Sequence, residues 1–141
     1  MAGYSGTPLQ KKLGMKPGHR VSFVNAPADF ADKFTDVEVL ARLRRPLDVV
    51  VLFATWQRDL LRRLPAAQRA LTEDGGLWVA WPRKAAKVAT DLDENAVRDL
   101  ILSDVLVDNK ICAIDETWSG LRFVYRRTAR RAARATRPPS V

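Results

Sequence analysis

The sequence predicts an α/β fold: a three-layer, Rossmann-like sandwich whose mostly parallel sheet ends in an antiparallel C-terminal hairpin. Three observations predict it. LDVVVLFAT, residues 47–55, is a continuous β-branched run of the kind that fills a strand covered on both faces. WQRDLLRRLPAAQRAL follows at helical spacing and leads into a second apolar run, GLWVAW, residues 76–81. Two further apolar runs, at about 107–114 and 120–126, are separated only by a short polar segment and so pair directly as a hairpin. Strands alternating with helices call for right-handed crossovers and helices on both faces of the sheet.

Each element has its own local reason. Pro8–Leu13 reads as a short amphipathic helix with Thr7 as N-cap and Pro8 at its first position. The turn Lys16-Pro17-Gly18 launches a first strand carrying Val21, Phe23 and Val24, and ADFADKF follows as a short helix. VEVLARL, residues 37–43, alternates apolar and polar and reads as a second strand near a sheet edge. In the long helix after the buried run, Leu60, Leu61, Leu64, Ala67 and Leu71 fall on one side, and Pro65 removes a donor and predicts a kink or restart. TEDGG then reads as a turn. In TDLDENAVRDLIL, Thr90 or Asp91 can cap a helix bearing Val97, Leu100 and Ile101, with Asp93 and Glu94 at its positive end.

Composition limits the function. With 141 residues, one domain with a real core is expected, residues 1–127, followed by an Arg-rich, unstructured tail at 128–141. VVVLFA, the longest apolar run, is far short of a membrane span, and no secretory leader is visible. One cysteine excludes an internal disulfide and fits a reducing cytoplasm; one His and one Cys leave no set of zinc ligands, so no metal is expected. The net charge of +8 divides unevenly: residues 1–121 carry +1, and seven Arg without a single acid in 122–141 supply the rest.

GYSGTPLQKKLGMKPG, GGLWVAWPRK, ATDLDENAVRDL and VDNKICAIDETWSGLRFV together resemble a bacterial family filed as domain of unknown function 3052. The likeness spans nearly the whole chain except its Arg-rich end. It implies a bacterial, cytoplasmic, single-domain protein and carries no catalytic residue with it. The strand–helix alternation closing in a hairpin also resembles a shortened class I methyltransferase layout, an analogy of architecture alone.

A dinucleotide or methyl-donor site needs glycines after the first strand, where backbone must approach the cofactor. Here the turn is Asn25-Ala26-Pro27-Ala28-Asp29, and the second strand ends in Arg42, Arg44 and Arg45 instead of an acid for ribose hydroxyls. No cofactor is therefore expected, and no Walker A motif is present.

The candidate ligand site is the C-terminal edge of the sheet, where open α/β sheets bind. It would gather Asn25, Thr55, Trp56, Trp81, Arg83, Lys84, Asp115, Glu116 and Trp118. In WPRK, residues 81–84, Trp81 can stack on a ring while Arg83 and Lys84 meet a phosphate or carboxylate; alternatively Trp81 plugs the sheet edge and both cations are solvated. DETWSG, residues 115–120, is either a working loop or a packed turn with Trp118 folded onto the sheet and Gly120 at positive φ. Asp115 and Glu116 are adjacent and point to opposite faces in extended backbone, which argues against a cooperating acid pair. Cys112 reads as a buried, inert thiol, and the lone His19 has no nucleophile beside it.

Three functions follow from these residues. The favoured one is a non-catalytic, regulatory module that binds a small anionic ligand or a protein partner on a methyltransferase-like scaffold. The second is a small enzyme using Asp115 or Glu116 as general base toward an anionic metabolite. The third is non-specific nucleic-acid association through Arg126, Arg127, Arg130, Arg131, Arg134 and Arg137. No membrane partner is expected, because the apolar residues interleaved with the tail's arginines are small alanines.

Overall fold

The computed structural model describes residues 8–130. Thr7 and the tail arginines Arg131, Arg134 and Arg137 lie outside the described residues. Six strands form one sheet: β1 (Arg20–Val24), β2 (Glu38–Val39), β3 (Leu47–Phe53), β4 (Leu71–Pro82), β5 (Leu106–Ala113) and β6 (Trp118–Tyr125). Their order is β2-β1-β3-β4-β6-β5. The first four run parallel, β6 is antiparallel to both β4 and β5, and β5 therefore runs with the parallel set. The expected mostly parallel sheet with a C-terminal hairpin is present.

β3 explains its own composition. Val49, Val51 and Phe53 face one side and Val50 and Leu52 the other, and all are buried. The second side is covered by α2 (Gln57–Ala70) and α3 (Glu94–Ile101), which bring Leu60, Ala67, Val97 and Ile101 onto Val50, Leu52, Val79 and Phe123. The first side is covered by α1 (Pro8–Lys12), the loop after it and a 3-10 turn at Phe30–Lys33, through Leu13, Met15, Phe30 and Phe34. Two buried polar groups fasten this thinner layer. Trp78 Nε1 donates to the Leu13 carbonyl at 3.0 Å. Gln10, fully buried, donates to the Thr35 carbonyl at 2.7 Å and accepts from the Thr35 amide at 3.1 Å.

Five local expectations are corrected. The second strand is only Glu38–Val39, because beyond Leu40, whose amide still bonds Val21, the chain turns back to reach β3. α2 runs unbroken through Pro65: the carbonyl the proline leaves unpaired belongs to Leu61, which is 46% exposed, so water can satisfy it. Leu61 accordingly lies off the buried face, and Leu71 opens β4.

TEDGG is strand, not turn: Leu71 pairs with Leu47 and Gly76 with Val49, and the register shift between them absorbs the extra residues. A Cβ on Gly75 would stand 3.0 Å from the Leu47 carbonyl oxygen, so glycine permits that close approach. Finally, α3 is capped by Asp93, whose Oδ1 accepts from Ala96 N at 2.8 Å. Thr90 and Asp91 instead tie the preceding loop to α2: the Thr90 hydroxyl donates to the Thr55 carbonyl, and Asp91 Oδ1 accepts from Gln57 N at 2.8 Å.

Candidate functional site

The chain leaves β1 toward β2 on one side and leaves β3 toward β4 on the other, so the topological switch point lies between the ends of β1 and β3. That crevice is closed by protein. Asn25 takes a left-handed conformation, φ 57°, which asparagine tolerates, and its amide donates to the Phe53 carbonyl at 3.2 Å. Beneath it Phe23, Phe30, Phe34, Phe53 and Trp118 interlock, with successive ring centroids about 5 Å apart and mostly edge to face. Beside the turn is only a shallow depression of about 310 Å³. It holds two carboxylates, Asp29 and Asp32, contributed by the 3-10 segment and not by β2.

These residues do not fit an adenosyl cofactor bound in the usual manner. The turn offers side chains where clearance is needed, Pro27 has no amide hydrogen, and the Asn25 amide is already engaged with β3.

The larger opening at the C-terminal edge lies over β4, a cleft of about 660 Å³. Of the sequence candidates it brings together Trp81, Arg83 and Lys84. To these the fold adds Thr90, Asn95 and Ser119, which sequence reasoning missed. Ser119 lies directly across from Trp81 in the β4–β6 pairing, and Asn95 sits in the first turn of α3. Only the hairpin register and the fold of α3 onto the sheet juxtapose them, and neither is visible as a motif.

Trp81 is 5% exposed and belongs to the core beneath α2 and α3, so it forms the floor of the cleft and offers no open ring face. Arg83 is engaged with the hairpin turn: its guanidinium donates to the Asp115 carbonyl at 3.0 Å, and its amide donates to the Thr117 carbonyl at 2.7 Å. Lys84, exposed on the rim, enters none of the ion pairs among the described residues. Two acids also line the cleft, but both are occupied: Asp93 caps α3, and Glu94 pairs with Arg98 at 2.7 Å. The Arg98 guanidinium, held by Glu94 and by Asp108 at 3.0 Å, has its pKa raised by those bonds.

The remaining candidates lie outside this cleft. Thr55 supplies a carbonyl to Thr90, and Trp56, 40% exposed, precedes α2 as its N-cap residue. The hairpin turn is shorter than the polar segment suggested, because Trp118, Ser119 and Gly120 already belong to β6. Asp115 builds the turn, its Oδ1 accepting from the amides of Thr117 and Trp118 at 2.8 Å each. Glu116 is exposed, and neither carboxylate lines the cleft. Trp118 packs edge-on against Phe53 on the opposite face of the sheet. Gly120 has no positive φ; it is glycine because a Cβ there would come within 2.9 Å of Ile114 Cδ1.

Among the described residues, no three His, Cys, Asp or Glu gather as a metal site, and no helix is long and apolar enough to cross a membrane. Arg126, Arg127 and Arg130 stand at the end of β6 and in a helical turn begun at 127–130.

The sequence matches no family model and no curated protein. Solved structures resemble it in fold. A candidate type 11 methyltransferase from Sulfolobus solfataricus superposes with a TM-score of 0.59 at 14% identity, over 84% of this chain and 90% of that one. The fibrillarin pre-rRNA processing protein of Methanococcus jannaschii gives 0.49 at 12% identity, over 87% and 70%. The B. subtilis m1A22 tRNA methyltransferase TrmK also gives 0.49 at 12%, over 96% and 71%. The first of these likenesses establishes a Rossmann-like, methyltransferase-type scaffold.

Proposed function

We propose that this chain is a binding module on a methyltransferase-like scaffold, without a catalytic centre of its own, which takes a small anionic ligand in the cleft over Trp81. The observation that carries this reading is the cleft itself. At about 660 Å³ it is within the usual range of small-molecule sites, and Lys84 stands on its rim as an exposed cation outside every ion pair among the described residues. Ser119, Thr90 and Asn95 supply hydroxyl and amide groups around it. The resemblance to domain of unknown function 3052 adds no activity to this reading.

An enzyme using Asp115 or Glu116 as general base draws no support from the geometry. One carboxylate is committed to its own loop, the other faces solvent, and neither reaches the cleft.

The test is a thermal-shift screen of the full chain against S-adenosylmethionine, S-adenosylhomocysteine, nucleotides and common anionic metabolites. A ligand at a hundred times its Kd adds about 2.7 kcal/mol, a shift of several degrees. The reading expects a saturable shift with an anionic metabolite, lost in Lys84→Ala and accompanied by no turnover. A shift with an adenosyl ligand that Lys84→Ala leaves intact would move the site to the depression beside Asp29 and Asp32 and return methyl transfer to consideration.

A further inference from the structure

On the face opposite α2 and α3, the covering layer stops short of the sheet edge. Between α1 and the edge strand β5 lies a groove of about 490 Å³ lined by Lys12, Trp78, Lys110, Ile111, Cys112 and Ala113. Arg122 joins this face through its register. It stands directly opposite Trp78 on β4 and directly opposite Lys110 on β5, so all three side chains point the same way. The charged group that acts on Arg122 is another cation, Arg130 of the helical turn after β6.

This arrangement is unfavourable in the free protein. Like charges directly opposite on adjacent strands repel. Arg122 is also half-buried, and desolvation followed by the field of Arg130 lowers its pKa. None of the ion pairs among the described residues involves Lys12, Lys110, Arg122 or Arg130. All 16 acidic side chains of the sequence lie between residues 29 and 116, so no acidic side chain of 1–7 or 131–141 is available as a partner.

We propose that this groove, continued by Arg130, binds the sugar–phosphate backbone of a nucleic acid. The occupant is anionic because the cations are otherwise uncompensated. It is a polymer because the positive groups run from α1 across β5 and β6 to the C-terminal turn, and Arg131, Arg134 and Arg137 extend the series in sequence. Its bases are not read by stacking, since Trp78 is fully buried and no aromatic ring is exposed in the groove. A lipid surface fits poorly, because Ile111, the large exposed apolar residue beside the groove, pairs with Leu121 and so faces the α2/α3 side of the sheet. The groove and the cleft over Trp81 open on opposite faces of the sheet and meet at Ile111 on the edge strand.

The experiment is a fluorescence-anisotropy titration of the full chain with a labelled DNA oligonucleotide, single-stranded and as a duplex, across a salt series. Each lost phosphate contact removes about 0.7–0.9 from the slope of log K against log salt. The double variant Lys12→Ala/Lys110→Ala should therefore lower the slope by about 1.4–1.8, and weaken binding roughly 25- to 60-fold at about 0.1 M salt. Both lysines are exposed and outside the core, so a thermal melt should show the fold intact. Arg131, Arg134 and Arg137 replaced together by Ala should weaken binding without abolishing it. The proposal is overturned if the lysine variant binds as wild type does, if the arginine variant alone removes all binding, or if wild type binds neither oligonucleotide at low salt. Lysine-dependent binding to anionic vesicles or an acidic peptide, without binding to DNA, overturns it equally.

Discussion

The guanidinium of Arg122 lies over Gly76 so closely that a Cβ at position 76 would stand 2.5 Å from Nε and 2.7 Å from Nη2. The two residues are on paired strands, and the missing side chain on β4 is what lets the arginine lie along the sheet. Gly76→Ala should therefore destabilise the protein by about 1–3 kcal/mol in urea unfolding, a typical overpacking cost. Because the obstructing atoms belong to a side chain and not to backbone, most of that loss should disappear in an Arg122→Ala background. A double-mutant cycle with no coupling would mean the glycine serves backbone conformation alone.

Gly120 is a stricter case of the same device. Its neighbours are Ile114 Cδ1 at 2.9 Å and Trp78 Cε3 at 3.1 Å from a built Cβ, and both side chains are buried. Neither can swing into solvent, so Gly120→Ala should cost about 1–3 kcal/mol. Shortening the neighbour, Gly120→Ala with Ile114→Val, should recover part of it. The denaturant midpoints of the three variants check this, and no recovery would place the strain on Trp78.

These two glycines mark the limit of what the sequence discloses. β3 and the apolar half of β4 are legible because continuous apolar runs answer to burial on both faces, a local property. The hairpin is legible because nothing helical separates its strands. The start of β4 is hidden, because Gly75 and Gly76 look like a turn until Leu47 and Arg122 are placed against them. The cleft is half legible: WPRK announces a strand end, but Ser119 and Asn95 reach it through pairing and helix docking. The charge arithmetic misleads most. A net of +1 over residues 1–121 conceals Lys12 and Lys110, which the fold gathers with Arg122 on one face, because a sum carries no information about position.

The cap of α3 shows how a choice among neighbours can be tested. The sequence points to Thr90 or Asp91 as the cap, yet it is Asp93 that accepts the Ala96 amide. Asp93→Ala should lower stability by about 1 kcal/mol and Asp93→Ser by much less. Asp91→Ala should act elsewhere, loosening the start of α2, where its carboxylate holds the Gln57 amide. Amide hydrogen exchange separates the two: faster exchange at Ala96 in the first variant and at Gln57 in the second.

The ionisation of Cys112 joins the groove's chemistry to a direct readout. Burial raises the thiol pKa above its ordinary value, and the nearby Lys12 ammonium opposes that rise. The thiolate is the reacting species, so iodoacetamide should alkylate Cys112 with an apparent pKa above the ~8.5 of an unfolded chain. Lys12→Ala removes the opposing charge and should push that apparent pKa higher still, slowing alkylation at any fixed pH below it. The stability effect has a definite sign. With the folded pKa above the unfolded one, the unfolded chain releases its proton first, so this contribution is complete below about pH 8.5 and is lost as pH rises through the folded value. Cys112→Ala should therefore flatten the decline in stability just above about pH 8.5. Tyr125, whose pKa is also raised by burial, should continue to weaken the fold at still higher pH. An unchanged alkylation profile in Lys12→Ala would separate the lysine from the thiol and remove one wall from the groove.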